Sequence, residues 1–303
     1  MYGKAVGEFR AYAQRHRWSL ARLGSVDRAM KKYFNVLFAD GFGAWEGRNL
    51  FYGYRMLVLK TRQKEVLPLS AAALHGWAAR YPGKMRLPVP EDTAFDICDT
   101  MLANGDREAA AAAALQLDTY LRPSEAVFLK MANILPPAPA AGERFARAWG
   151  LVIAPQHLDE RSRTGRTDDS LLVGDRAHGW LRSLLEQLYQ PQLGDNARLF
   201  PTLTLASYER AVQKAAHQRQ LGHMRICPHV FRHSAASNDR FLGRRSLAEV
   251  QKRGQWASTS SVRRYEKAAL LLQALKKMSP TQQQRAKSVA KLFPARLLQA
   301  FRR

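Results

Sequence analysis

The chain of 303 residues carries 48 Lys and Arg against 25 Asp and Glu, a formal net charge of +23, and is 46% apolar. That length and apolar content support one or two cored domains and exclude wholesale disorder. The charge favours a polyanionic partner, because neutralising phosphates releases counterions. Two cysteines, Cys98 and Cys227, make no disulfide framework and read as buried thiols in a reducing compartment. Met1-Tyr2-Gly3-Lys4 leads into a charged stretch, not an apolar leader, and no run nears the ~18 apolar residues of a membrane span. A soluble, intracellular protein is expected.

Residues 1–90 hold sixteen basic and five acidic side chains and read as helical. Ser25 is expected to cap a helix in which Val26, Met30, Tyr33 and Leu37 recur at helical spacing, with Asp40-Gly41-Phe42-Gly43 ending it. A second apolar, aromatic-rich segment spans 50–59, and Pro68 and Ser70 lead into a helix over 71–80. Basic residues interleaved with Phe, Tyr and Trp suit a module lying against nucleic acid, although a solvated face has the same pattern. The stretch 81–90, with three prolines and a glycine, is the best linker.

Beyond it, helices are expected over 91–103 and 106–120, the first with acidic residues where the helix dipole favours them. Residues 149–154 and 170–173 read as a β-hairpin around a Thr164-Gly165 turn, the one convincing β signal. Helices follow over 180–188, 205–221, 229–239, 247–252 and 260–275, the last stopped by Pro280. The tail from 281 has six basic and no acidic side chains, with Val289, Leu292, Phe293, Leu297, Leu298 and Phe301. It reads as an amphipathic docking segment or a frayed basic end.

Metal and nucleotide chemistry find little support. His229 and His233 lie four apart without the glutamate of an HExxH pair, Cys227 has no partner at zinc spacing, and Asp168-Asp169 reads as a solvated loop. No phosphate-cradling glycine loop is present. What stands out is a set of basic groups with one phenol: Arg122 with Glu125 three residues on, His229 with Arg232, then Trp256 and Tyr265. Singly, each suits a surface, cap or core role. Together they suit metal-free phosphoryl transfer. Guanidinium forks meet charge on the non-bridging oxygens, a tyrosine attacks and conserves the bond as a phosphoester, and histidine moves protons near neutrality.

At this point the chain resembles the tyrosine recombinase (phage integrase) family. Tyr120-Leu121-Arg122-Pro123-Ser124-Glu125 matches its first arginine motif, and Pro228-His229-Val230-Phe231-Arg232-His233 matches its His-x-x-Arg motif. Trp256, nine residues before Tyr265, falls at the family's His-or-Trp position, and Tyr265 follows His229 by 36 residues. The resemblance covers roughly 91–275 and implies a mainly α protein with a small β-hairpin or sheet. Its parts would be a helical core-binding-like DNA-binding domain over 1–85, an α+β catalytic domain over 86–280, and a basic amphipathic segment over 281–303.

The resemblance implies site-specific DNA cleavage and rejoining. Tyr265 would attack a phosphate, Arg122 and Arg232 would clamp its oxygens, and His229 would help deprotonate the tyrosine or handle protons on the phosphate. Trp256 would position the phosphate and Glu125 would orient Arg122. His233 would stand behind these groups or pack the core. The family's hairpin lysine is replaced: the matching position is Arg163, and arginine is a poor proton donor. The implied partners are double-stranded DNA and further copies of the chain, a dimer to tetramer on DNA, with no membrane. No cofactor and no metal are implied. A catalytically impaired DNA-binding descendant and a type IB topoisomerase-like relaxase stay open as alternatives.

Overall fold

A computed structural model describes residues 1–81, 87–143, 145–155, 169–266 and 269–302. It divides into two units, Met1–Met85 and Arg86–Arg303. Residues 82–86 of the expected linker and the Thr164-Gly165 turn lie outside the described residues. The architecture is mainly helical with a small antiparallel sheet, as the sequence suggested. Among the described residues no helix is long and apolar enough to cross a membrane.

The first unit packs α1 (Tyr2–Arg15), α2 (Leu23–Ala39), α3 (Ala44–Leu57) and α4 (Pro68–Arg80). Its core comes from residues one turn apart, with Val26, Met30 and Phe34 of α2 facing Phe9, Leu50, Tyr54, Leu74 and Trp77. The second helix begins two residues before Ser25, with Arg22 at its N-cap, so Ser25 lies in the first turn and caps nothing. Asp27 instead serves a different helix. Buried on α2, its carboxylate accepts the Leu69 and Ser70 N–H groups at 2.9 and 2.8 Å and the Ser70 hydroxyl at 2.6 Å, satisfying donors at the start of α4.

In the second unit α5 (Glu91–Ala103) is followed by α6 (Arg107–Thr119), whose Ala109–Leu115 run is wholly buried. Alanine leaves room for close neighbours, so α6 packs against α5, α9 (Leu205–Gln218) and α10 (Pro228–Phe241). Short α7 (Pro123–Val127) follows α6, and α8 (Leu181–Leu188) and α11 (Leu247–Arg253) complete the body around the core. The sheet has the order β1 (Ile134–Leu135), β2 (Gly150–Ile153), β3 (Asp169–Leu172), with Leu151 opposite Leu171. The expected hairpin is β2 and β3. The sequence reading missed β1, because two residues carry no alternation to detect.

The stretch expected as one helix over 260–275 is broken into α12 (Thr259–Val262), a 3-10 turn (Arg263–Glu266) and α13 (Ala269–Leu275). Val262 and Tyr265 are both buried. Ser279 then caps α14 (Pro280–Phe301), with Pro280 at the first helical position, where its missing N–H costs nothing. The C-terminal helix docks on α5. Phe293 stacks on Phe95 with ring centres 5.4 Å apart, and Arg296 pairs with Asp99 at 2.8 Å.

Candidate active site

The helix α6 ends at Tyr120 in the left-handed conformation (φ 58°), and Arg122 runs extended into Pro123 at the start of α7. Tyr120 is held from several sides. Its hydroxyl donates to Asp239 of α10 at 2.6 Å, and the Arg253 guanidinium lies 5.8 Å from its ring centre. Glu125, three residues into α7, accepts the Arg122 backbone N–H at 2.7 Å and also the Arg122 guanidinium.

Arg232 projects from α10 and is only 5% exposed. Its guanidinium donates to the carbonyls of Tyr120 and Gly254 and lies 3.9 Å from Glu125. One carboxylate therefore sits beside both guanidinium groups, although Arg122 and Arg232 are 110 residues apart in the chain. Burial and the neighbouring charge of Arg122 bring the Arg232 pKa down to about 10, against the opposing pull of Glu125 and Tyr265. It is still charged at neutral pH.

Gly254 makes room for the aromatic part of the site. A Cβ there would fall 1.9 Å from the Trp256 ring, so only glycine lets the indole fold back over the end of α11. The Arg232 guanidinium lies 4.6 Å from the Trp256 ring centre, a cation–π arrangement. The Tyr265 ring lies 4.9 Å from the same indole. The Tyr265 hydroxyl is 2.7 Å from His233 Nδ1, and the whole tyrosine is 3% exposed.

The structure thus brings together Arg122, Glu125, Arg232, Trp256 and Tyr265. His229 is exposed on the first turn of α10, one turn before His233. Arg163 lies outside the described residues. The sequence reading undervalued two residues. Tyr120 anchors Arg232 through a backbone carbonyl, and no side-chain pattern reports that. His233 was expected to stand behind these groups or pack the core, because neighbours on a helix diverge by about 100° and Arg232 already faces the site. Among the described residues no group of three His, Cys, Asp or Glu side chains is placed to hold a metal ion.

A second charged cluster supports this one from behind. The His178 side chain, 8% exposed, lies 3.2 Å from Glu91 and 3.6 Å from Asp118, Arg253 pairs with Asp118 at 2.9 Å, and Arg244 pairs with Glu91. Arg245 bridges Asp239 and Asp175. Asp239, which holds the Tyr120 hydroxyl, is thereby held in turn.

No protein-family model and no curated protein matches the chain. Solved structures that resemble it at low identity include three of recombinases. The XerH site-specific recombinase bound to palindromic difH substrate, a post-cleavage complex, aligns with a TM-score of 0.52 at 16% identity, over 94% of this chain and 76% of that one. The XerH pre-cleavage complex with difH substrate gives a TM-score of 0.45 at 16% identity, over 71% of this chain and 66% of that one. The XerA recombinase gives 0.39 at 15% identity, over 95% of this chain and 98% of that one. The first of these establishes that the chain shares the fold of a site-specific recombinase.

Proposed function

We propose that the chain is a tyrosine recombinase that cleaves and rejoins double-stranded DNA through a 3′-phosphotyrosyl intermediate. The observation that carries this reading is the meeting of Arg122 and Arg232 at Glu125, with Trp256 against both Arg232 and Tyr265. The net charge of +23 supports a DNA partner, bound as a dimer to tetramer inside the cell.

In this reading the Tyr265 oxygen bonds to a scissile phosphorus, the bond from phosphorus to the 5′ oxygen breaks, and a 5′-hydroxyl leaves. Attack by a 5′-hydroxyl on the phosphotyrosine reverses the step and rejoins the strand. Arg122 and Arg232 meet the charge growing on the non-bridging oxygens, as planar donors that stay protonated. Glu125 orients Arg122, Trp256 places the phosphate, and His229, exposed at the start of α10, handles protons at the phosphate. Arg163 supplies positive charge near the leaving group. The guanidinium pair takes the part that metal ions play in other phosphoryl transferases, so the reaction needs no cofactor.

The test is a covalent adduct. A nicked duplex, carrying a sequence the protein selects from a randomised pool, is incubated with it in EDTA and resolved on a denaturing gel. Wild type is expected to form a protein–DNA adduct and Tyr265→Phe none. Tight binding without an adduct in wild type refutes the enzyme and leaves a DNA-binding protein.

A further inference from the structure

Tyr265 is buried, and its hydroxyl lies 2.7 Å from His233 Nδ1, whose ring is only half-buried. We propose that His233 accepts the phenolic proton of Tyr265 when the phenol attacks phosphorus. This rests on the strand-transfer reading and adds to it a group that activates the nucleophile.

Three observations carry the assignment. The separation falls within the range over which a general base takes a proton directly. A tyrosine 3% exposed has little access to water as a proton acceptor, so its proton passes first to a protein group. The nearby carboxylate is committed elsewhere, because Glu125 already accepts the Arg122 backbone N–H and guanidinium. The half-buried imidazole then forms a relay from a buried phenol to water.

His233 carries its hydrogen on Nε2 and presents Nδ1 as acceptor. The Oη–H bond breaks and the proton moves to Nδ1, giving an imidazolium. The Oη electron pair forms the bond to phosphorus, and the pair from the broken bond goes to the 5′ oxygen, which takes a proton from water. The hydroxide left behind is neutralised by the proton that His233 releases. In rejoining, His233 returns a proton to the departing phenol. Arg232, electrostatically coupled to Tyr265, favours the negative charge that develops on the phenol oxygen during transfer.

The experiment uses the full chain and the same selected nicked duplex, under single turnover. His233→Asn places an amide oxygen near the Nδ1 position, so it keeps an acceptor and removes the base. It is expected to bind the duplex as wild type does and to form adduct about 10²–10⁴-fold more slowly. In His233→Ala, added imidazole should restore much of the lost rate, and it should restore none in Tyr265→Phe. Nitrogen-15 spectra should show an unprotonated Nδ1 on His233 in wild type that shifts in Tyr265→Phe. Adduct formation by His233→Asn at the wild-type rate, a protonated Nδ1, or a His233→Ala rate that imidazole leaves unchanged each overturns the proposal. A wild-type protein that binds duplex and forms no adduct overturns the strand-transfer reading itself, a different result from any of these.

Discussion

Raising the pH should loosen the second unit through one residue, His178. Its imidazole is packed between Glu91 and Asp118, with the Phe95 ring edge-on at 5.3 Å. Burial alone would lower its pKa, but the two carboxylates outweigh burial and hold the imidazole charged, raising the pKa from 6.5 to about 9. A group whose folded pKa is raised gives stability that is fully present below the unfolded value and lost as pH climbs through the folded one. The loss therefore falls between pH 6.5 and about 9. At about 1.4 kcal/mol per pH unit the shift corresponds to about 3 kcal/mol. For a unit of this size that is a fall in Tm of about 6–12 °C.

Glu91 titrates at the other end. Against the cost of burial, His178 and Arg244 bring its pKa from 4.5 down to about 2, so its contribution is present above 4.5 and lost as pH falls through 2. The two shifts share one interaction and do not add. Thermal melts of wild type and His178→Asn at about pH 6 and about pH 10 make the test, since asparagine accepts the left-handed backbone at 178 (φ 54°) without the charge. Wild type should lose the predicted Tm over that interval and the variant should lose much less. Equal losses in the two proteins would refute the assignment of the effect to His178.

Three further changes test other parts of the molecule. Asp27→Ala strands the buried Leu69 and Ser70 donors and should destabilise the first unit by about 1–3 kcal/mol, measured by urea unfolding. Phe293→Ala removes the ring that packs between Phe95 and Trp180 and should cost the second unit about 3–5 kcal/mol in the same assay. Gly254→Ala must displace the Trp256 indole and with it the surface against Arg232 and Tyr265. It should bind duplex normally and slow adduct formation by about 10²-fold, because a small misplacement of reacting groups is costly.

Much of the second unit was legible residue by residue. The acidic first turn of 91–103 set α5, and the short apolar run of 149–154 marked β2. The spacing of Arg122, Arg232, Trp256 and Tyr265 along the chain could also be read directly. These are local properties, fixed by which side chains follow one another. Ser25 and the 260–275 stretch show where local reading stops. A serine before an apolar repeat resembles a cap, yet α2 starts upstream at Arg22 and the buried donors of α4 are met by Asp27 from another helix. The 260–275 stretch read as one continuous helix, whereas the chain breaks it into α12, a 3-10 turn and α13.

The sequence by itself determined the charge, the helical elements and the order of the candidate catalytic residues. Only the tertiary structure decided which groups share a pocket. Arg232 is held by the carbonyls of Tyr120 and Gly254, and His233 meets Tyr265 across 32 residues of chain. Those contacts depend on a left-handed turn at Tyr120, a missing side chain at Gly254 and a helix packed closely enough for adjacent residues to reach one site. Such contacts depend on three-dimensional distance, which residue order alone does not specify.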